Sequence, residues 1–271
     1  MSCRIHFFDT TFFFYYMSLK EILDRATERI NCPDFIAADP VQFPHRFCDK
    51  RDIEITSILI STIAWGKRQM ILRDGNRLLD LLDNRPYNFI KDGDFNAINP
   101  EQNIHRTFFG RDLIYFLNGL RLLYSEYGTL EDFALKCNAT EDNYPAWKLV
   151  ESLNKVFAAA NEGLFQSTRC LPGNLKNTPL KRINMALRWL VRNDGIVDLG
   201  VWTAIKPSKL FIPLDIHVGN TSRKLGLLTR NANDKKSAIE ITEKLRKFDS
   251  ADPIKYDFAL FGIGIEGNAD E

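Results

Sequence analysis

The chain has 271 residues, a length that fits one large domain or two small ones that share a core. Hydrophobic residues make up 45% and charged residues 26%, which is the balance of an ordinary globular protein and excludes a largely disordered chain. The formal net charge is +1 at pH 7, a total that hides an uneven distribution. The five cysteines are odd in number and form no C-x-x-C pair, so we expect reduced thiols in a cytosol rather than disulfides, zinc or an iron–sulfur cluster.

The N-terminal segment is rich in phenylalanine and tyrosine but does not read as a targeting signal. His6 and Asp9 interrupt the apolar run, and no small-residue cleavage site follows it. No later stretch approaches the length of a membrane span, so we expect no membrane association. We predict that residues 1–16 are an extension, either disordered or added by a mis-assigned start codon, and that residues 17–271 form a single domain.

Helical spacing begins directly after Ser18 and continues through nearly the whole chain. The first helix is marked by apolar residues at three- and four-residue intervals: Leu19, Ile22, Leu23, Ala26 and Ile30. Further helices are predicted at roughly 52–64, 68–83, 111–126, 146–160, 179–192, 216–227, 235–247 and 253–261. The alternation typical of strands is nearly absent, so the predicted fold class is all-α.

Prolines mark several of the expected helix boundaries. Arg85-Pro86 ends one helix and Asn99-Pro100 opens a new segment. Thr178-Pro179 and Asp252-Pro253 each have the pattern of an N-cap followed by proline at the first helical position. We therefore predict that two helices begin at these last two sites.

Positive charge is concentrated in one third of the chain. Residues 176–247 contain 15 lysines and arginines against 6 acidic residues, whereas the rest of the chain is net negative. Such a segment is either a solvated helical surface or a phosphate-binding one, and composition does not decide between them.

Lys181 stands where a cation is unfavourable. If Thr178 caps the helix, Lys181 lies in its first turn, next to the positive end of the helix dipole. Unfavourable electrostatics of this kind favours a neutral, nucleophilic amine. A side chain that simply reaches solvent is the alternative.

Asp215 is the second unusual residue, because it precedes a predicted helix in the segment Pro213–Val218. Its position is that of an N-cap, where backbone N–H groups keep a carboxylate ionised. Asp215 and His217 could also form half of a metal site, which would support a metal-dependent hydrolase. No H-x-x-x-H pair or carboxylate cluster completes that site, so we expect no metal.

Together these segments resemble the helix-hairpin-helix DNA glycosylases, by way of an uncharacterised bacterial family near that superfamily. The signature is a hairpin lysine, then a Pro-Val-Asp-Thr-His-Val type segment and an Arg-Leu-Gly-Leu type helix. Here it is matched by Lys181, Pro213–Val218 and Arg223–Leu227. The helix Ile58–Gly66 and the closing segment Phe258–Gly264 take the places of further superfamily helices.

The differences from this pattern indicate which branch of the superfamily the chain resembles. Lys181 lies 34 positions before Asp215, a long spacing that looks like the archaeal 8-oxoguanine glycosylase branch. Residues 171–176 imitate the usual hairpin and make Lys176 a rival nucleophile. The four-cysteine cluster of the endonuclease III branch is absent, because no cysteine follows Cys170.

The resemblance implies a two-lobed, helix-hairpin-helix fold with its hairpin and catalytic segment at about 171–227. It implies a monomeric base-excision glycosylase and abasic-site lyase that acts on double-stranded DNA without a cofactor. Lys181 would attack the sugar C1′ and Asp215 would stabilise the developing positive charge, both facing one cleft and a few ångströms apart. A non-enzymatic nucleic-acid-binding protein of the same fold is the alternative.

The remaining site residues follow from the same resemblance. Trp65 and Trp202 are the candidates for the pocket of the flipped base, while Trp189 is assigned to the core. We expect the DNA to contact basic side chains and a helix N-terminus, namely Lys176, Arg182, Lys209, His217, Gly219, Arg223 and Lys224.

Overall fold

The computed structural model describes residues 17–162 and 169–266, so the prediction for residues 1–16 lies outside the described residues. The first half contains α1 (Leu19–Ile30), α2 (Pro33–Ala38), α3 (Lys50–Ile63), α4 (Arg68–Leu81), α5 (Pro86–Asp92), β1 (Asn103–His105), β2 (Phe108–Phe109) and α6 (Gly110–Glu126). The second half contains α7 (Leu130–Lys136), α8 (Pro145–Ala160), α9 (Lys181–Val191), α10 (Ile216–Lys224), α11 (Lys235–Arg246) and α12 (Tyr256–Glu266). The described chain is therefore mostly helical, with one short antiparallel hairpin, which confirms the all-α prediction.

The first helix begins at the polar residue that the sequence indicated. Ser18 and Glu21 form a capping box, in which the Ser18 backbone N–H donates to Glu21 Oε2 at 2.7 Å. The apolar face of α1 packs against α12, where Gly262 lies close to Ile30. The start of the domain is thereby joined to its last described helix.

The helix α3 lies at the centre of the fold. Every residue from Ile53 to Ile63 is buried, although five of these eleven residues are polar or charged. It packs against α9, while α6 packs against α8 and α10 against α12. Within the described residues, no helix is both long and apolar enough to cross a bilayer.

A buried carboxylate on α3 holds the centre of the molecule together. Glu54 is fully buried and accepts from the backbone N–H groups of Leu130 (2.8 Å) and Glu131 (3.2 Å), at the start of α7. Its other donors are the Tyr124 hydroxyl at 3.0 Å and Trp202 Nε1 at 2.7 Å. These four bonds satisfy the charge without a cation, which is how a carboxylate is tolerated in a core.

The prediction that Thr178 caps α9 is wrong. The helix begins at Lys181, and the residue before it, Leu180, has a left-handed backbone with φ of 53° and makes no side-chain cap. The Thr178 carbonyl instead accepts from Trp147 Nε1 at 3.0 Å, and the Pro179 carbonyl accepts from Asn184 Nδ2 at 3.0 Å. Lys181 is consequently the first helical residue, closer to the helix terminus than the sequence indicated.

The prediction for Asp252-Pro253 is confirmed for the proline but not for the N-cap. Pro253 opens a 3₁₀ turn, Pro253–Lys255, which leads directly into α12. Asp252 does not cap it, because its carboxylate accepts from Arg192 Nε at 2.9 Å. A pairing across 60 positions therefore takes precedence over the local cap.

Candidate active site

The side chains of Lys181 and Asp215 meet. Lys181 Nζ lies 3.9 Å from Asp215 Oδ2, although 34 positions separate the two residues in the sequence. Lys181 Nζ also donates to the Ala64 carbonyl at 3.4 Å, just beyond the end of α3. The two side chains keep 29% and 36% of their surface exposed, so a ligand can reach both. The predicted approach of these residues is present in the fold.

Asp215 caps α10, as its position indicated. Its Oδ1 accepts from the Val218 backbone N–H at 2.9 Å, while Oδ2 is the oxygen nearest to Lys181. One oxygen is therefore fixed by the helix terminus, and the other remains available to a cation. The carboxylate also offsets the unfavourable interaction between the Lys181 charge and the terminus of α9.

Gly219 does not offer the free N–H group that the sequence analysis expected. Its N–H donates to the Asp215 carbonyl at 2.9 Å within α10. An added Cβ would lie only 2.5 Å from Asn233 Oδ1, so glycine is needed for close packing. Asn233 Nδ2 donates to the same Asp215 carbonyl at 3.2 Å, which makes Gly219 part of the support of Asp215.

Two of the expected phosphate contacts bind the protein itself. Arg223 Nε donates to the Arg230 carbonyl at 2.8 Å, and its Nη2 donates to Asn233 Oδ1 at 2.6 Å, so the guanidinium closes the loop after α10. Lys209 Nζ donates to the Thr140 carbonyl at 2.8 Å. Arg223 and Lys209 both hold neighbouring loops, and their contact with DNA phosphates stays a prediction.

Three other expected contacts lie on the surface. Lys176, His217 and Lys224 are all exposed, and none of them forms an ion pair within residues 17–162 and 169–266. Ile216, between Asp215 and His217, is 68% exposed, which is unusual for a large apolar side chain at the start of a helix. These residues remain accessible to a partner.

Of the two tryptophans proposed for a base pocket, Trp202 does not fit. It is 2% exposed, and its Nε1 donates to the buried Glu54, which places it in the core. Trp189 is fully buried, as expected. Trp65 is half-buried and directly follows Ala64, the residue whose carbonyl accepts from Lys181.

A buried dyad that sequence reasoning missed holds Trp65 in place. His105 Nε2 lies 2.8 Å from the Trp65 carbonyl oxygen and Nδ1 lies 2.8 Å from Asp74 Oδ2, while the His105 and Trp65 rings meet edge to face at 4.8 Å. Burial opposes the charge of Asp74, but hydrogen bonds from Arg73 and His105 lower its pKa. The lone histidine before the turn of the hairpin is the only sequence signal for this dyad.

Asp257, at the start of α12, is a further missed residue close to the Lys181–Asp215 pair. It accepts from Arg188 Nη1 and is buried. Burial raises the pKa of Asp257 to about 6; the Arg188 charge opposes this shift and the negative charge of Asp215 adds to it. The signal in the sequence is a charged residue in each of two apolar helices, a pattern that marks buried pairs.

An open cavity of about 380 Å³ lies beside the start of α9. Trp65, Thr107, Arg169 and Arg182 line it. Arg182 follows Lys181 on α9, and its Nη1 donates to the Thr62 carbonyl at 2.7 Å and the Arg169 carbonyl at 3.1 Å. Among the described residues, no three histidine, cysteine or acidic side chains are grouped so that they could hold a metal ion.

Comparison with known proteins assigns the chain to a family. A family model described as a protein of unknown function, DUF2400, matches residues 39–266, which is most of the chain. The chain belongs to the DUF2400 family. No curated protein and no solved structure matches it.

The DUF2400 match contains the whole candidate site. Trp65, Lys181, Arg182, Asp215 and Asp257 all lie within its limits, whereas α1 precedes it. The residues that meet around Lys181 therefore belong to the part of the chain that defines DUF2400. The family carries no assigned activity, so the chemistry has to be argued from the site itself.

Proposed function

We propose that this DUF2400 protein is a DNA base-excision glycosylase with abasic-site lyase activity. In this proposal Lys181 is the nucleophile and Asp215 stabilises the positive charge of the transition state. The observation that carries it is the 3.9 Å separation of Lys181 Nζ and Asp215 Oδ2, reached across 34 positions at the termini of two helices. A lysine and an aspartate in this order and arrangement are what the resemblance to helix-hairpin-helix glycosylases requires.

The proposed reaction begins with the neutral amine of Lys181. As the glycosidic bond breaks, the departing base takes the bonding electron pair and a proton, and Nζ forms a bond to C1′. Opening of the sugar ring and loss of the second amine proton leave an imine between Nζ and C1′. Removal of a C2′ proton then expels the 3′ phosphate, which is the lyase step.

Asp215 suits the second role because its carboxylate is fixed before substrate arrives. Oδ1 is held by the helix N–H of Val218, and Asn233 supports the Asp215 backbone. A preorganised anion beside a developing positive charge stabilises the transition state without a reorganisation cost. The exposed edge of Asp215 leaves Oδ2 free to act on a sugar that lies against Lys181.

The fold proposed for this activity uses α9 as the second helix of the hairpin, with Lys181 at its first position. The α9 terminus has no side-chain cap, unlike α10 and α11, which Asp215 and Asp234 cap. Backbone N–H groups at such a terminus are suited to a phosphate. The proposed glycosylase-like lobes would therefore present α9 and α10 to the same stretch of DNA.

The test is reduction of the proposed imine. Wild-type protein incubated with duplex DNA that contains an abasic site and with borohydride is expected to form a covalent adduct. Lys181→Gln should abolish the adduct and retain DNA affinity, because one charge among several contributes little to phosphate binding. Lys176→Gln is the matched control, since it removes an exposed lysine that no acidic side chain of the described chain pairs with.

The two lysines also provide the outcomes that contradict the proposal. An adduct that persists in Lys181→Gln and is lost in Lys176→Gln would transfer the nucleophile to Lys176. Absence of an adduct with oxidised, deaminated and abasic substrates, together with salt-dependent DNA binding, would identify a nucleic-acid-binding protein without the chemistry.

A further inference from the structure

The end of α3 presents backbone carbonyls to the start of α9. The last carbonyls of a helix have no partner within that helix, and cationic side chains are favoured beside them. Arg182 Nη1 donates to the Thr62 carbonyl at 2.7 Å, and Lys181 Nζ donates to the Ala64 carbonyl at 3.4 Å. The position of the Lys181 amine therefore depends on the path of the chain as it leaves α3.

Two consecutive peptide planes fix that path. The Trp65 N–H donates to the Ile63 carbonyl at 2.8 Å, and this N–H belongs to the same rigid plane as the Ala64 carbonyl. The next carbonyl, that of Trp65, lies 2.8 Å from Nε2 of His105 on β1. The turn that binds Lys181 is thus held by α3 on one side and by His105 on the other.

Asp74, on α4, holds the His105 ring in its orientation. Nδ1 of His105 lies 2.8 Å from Asp74 Oδ2, and Asp74 Oδ1 accepts from Arg73 Nε at 2.8 Å. The His105 and Asp74 side chains are 0% and 2% exposed. A backbone carbonyl only accepts hydrogen bonds, as does an ionised carboxylate, so both ring contacts are satisfied only while the pair holds two protons. Rotation of the ring would leave buried polar atoms unpaired, which is costly.

We propose that the His105–Asp74 pair positions Lys181 for its reaction, by holding the turn whose Ala64 carbonyl binds the Lys181 amine. The reaction rests on the proposed function, whereas the control of the amine by this turn does not. His105 and Asp74 are positioning residues, because they act through the backbone of residues 64–65 and not on the reacting atoms. Their role is to keep the amine at one location relative to Asp215.

A fixed carbonyl matters here because the Lys181 side chain has freedom to move. It is a flexible four-carbon stem, and 29% of its surface is exposed. Its Nζ lies 3.9 Å from Asp215 Oδ2, so this pair alone does not hold it closely. A misplacement of about 1 Å can slow a reaction about a hundredfold. Loss of the Ala64 contact should therefore slow the reaction and leave phosphate binding by other residues unchanged.

Amide variants of His105 separate its two contacts. The amide nitrogen of glutamine reaches about as far as Nε2, and that of asparagine about as far as Nδ1. His105→Gln should therefore keep the contact with the Trp65 carbonyl, whereas His105→Asn should keep only the contact with Asp74. His105→Phe removes both contacts and retains a ring beside Trp65. Tyr124→Phe is the matched control, because it removes a hydrogen bond to the buried Glu54 and leaves the turn after α3 intact.

The first measurement is the rate of borohydride trapping at increasing concentrations of a duplex that contains an abasic site. His105→Phe and His105→Asn should lower the maximal rate about ten- to hundredfold, and the duplex concentration at half-maximal rate should stay unchanged. His105→Gln and Tyr124→Phe should trap as the wild type does. Thermal unfolding of each variant shows whether it is folded at the temperature of the assay.

The second measurement needs no DNA. Reductive methylation with formaldehyde and a borohydride reagent labels lysine amines, and mass spectrometry of peptides gives the extent at each lysine. In the wild type, the Ala64 carbonyl and Asp215 restrain the Lys181 amine, so its labelling should lag behind that of the exposed Lys176. In His105→Phe and His105→Asn it should rise toward that of Lys176. The glutamine variant and the control should stay at the wild-type level.

The two measurements distinguish this proposal from the glycosylase proposal. Labelling of Lys181 that stays at its wild-type level in both His105→Phe and His105→Asn would overturn the positioning role alone, and so would an equal change in Tyr124→Phe. Labelling that changes as expected, in a protein that traps no substrate, would refute the glycosylase and retain the positioning role. If His105→Phe does not fold, equal labelling in His105→Asn and His105→Gln would overturn the positioning role.

Discussion

The two ends of α9 carry cations in opposite situations. At its start, Lys181 and Arg182 are partly exposed, and Lys181 has one carboxylate at 3.9 Å while Arg182 has none in the described chain. At its end, Arg188 and Arg192 are buried, and each is surrounded by acidic side chains. The same helix therefore combines charges that the fold has neutralised with charges that it has left accessible.

The buried end forms a closed network. Arg188 bonds Asp198 at 3.2 Å and also Asp257, while Arg192 bonds Asp198 and, at 2.9 Å, Asp252. Burial of a guanidinium is costly unless carboxylates and hydrogen bonds compensate it, and here they do. The cations in the core are thus matched by carboxylates of the fold, whereas Lys181, at the start of α9, has a single carboxylate at 3.9 Å.

The largest expected loss of stability comes from removing a cation of the buried network at the end of α9. Arg188→Gln should lower the free energy of unfolding by about 3–5 kcal/mol, because it leaves Asp198 and Asp257 without their cation. Lys181→Gln, the same change at the other end of the helix, should cost less than about 1 kcal/mol, as for an exposed pair. Urea denaturation of both variants measures this, and equal losses would contradict the comparison.

Asp215→Asn separates the contribution of Asp215 to stability from its contribution to the proposed reaction. Asparagine caps a helix about as well as aspartate, so the unfolding free energy should change little. The rate of borohydride trapping should fall about 10²–10³-fold, by analogy with removal of other electrostatic groups. Asp234→Asn is the control, because Asp234 caps α11 in the same way, with Ser237 N at 2.9 Å from Oδ1. Equal trapping by both variants would remove Asp215 from the mechanism.

Asp257 connects the two ends and predicts a dependence on pH. Its pKa is raised to about 6 by burial, so the folded state binds its proton more tightly than the unfolded state does. The stability from this proton is present at low pH and is lost as the pH rises from about 4 through 6. Wild type should lose about 2–3 kcal/mol relative to Asp257→Asn over this range. Denaturation curves at several pH values test this, and a constant difference would show that Asp257 is ionised throughout.

The longer helices were predictable from sequence because their signals are local, whereas the short helices α2, α5 and α7 were not predicted. The apolar face of α1 follows from the spacing within its own segment, whereas the burial of the polar residues of α3 does not. The start of α9 was not predictable, because it depends on a left-handed Leu180 and on Trp147, which bonds the Thr178 carbonyl from 31 positions away. Tertiary hydrogen bonds of this kind override local capping preferences.

The candidate site could be predicted only where the resemblance to glycosylases indicated which distant residues meet. Spacing in the sequence does not reveal that Lys181 meets Asp215, and the glycosylase pattern provided that pair. Trp202 was misassigned because its partner, Glu54, lies 148 positions earlier. The cavity was missed for the same reason, since its walls come from four segments that no local pattern joins.

The smallest expected effect concerns two adjacent cations on α10. Lys224 is exposed and no acidic side chain in the described chain pairs with it, whereas Arg223 holds the Arg230 and Asn231 carbonyls, each at 2.8 Å. If Lys224 contacts one DNA phosphate, Lys224→Gln should reduce the slope of log K against log salt by about 0.9 and leave stability unchanged. Arg223→Gln should lower thermal stability and leave the slope nearly unchanged. Titration of a labelled duplex at several salt concentrations measures both, and a slope change confined to Arg223→Gln would show that the loop after α10 opens to contact DNA.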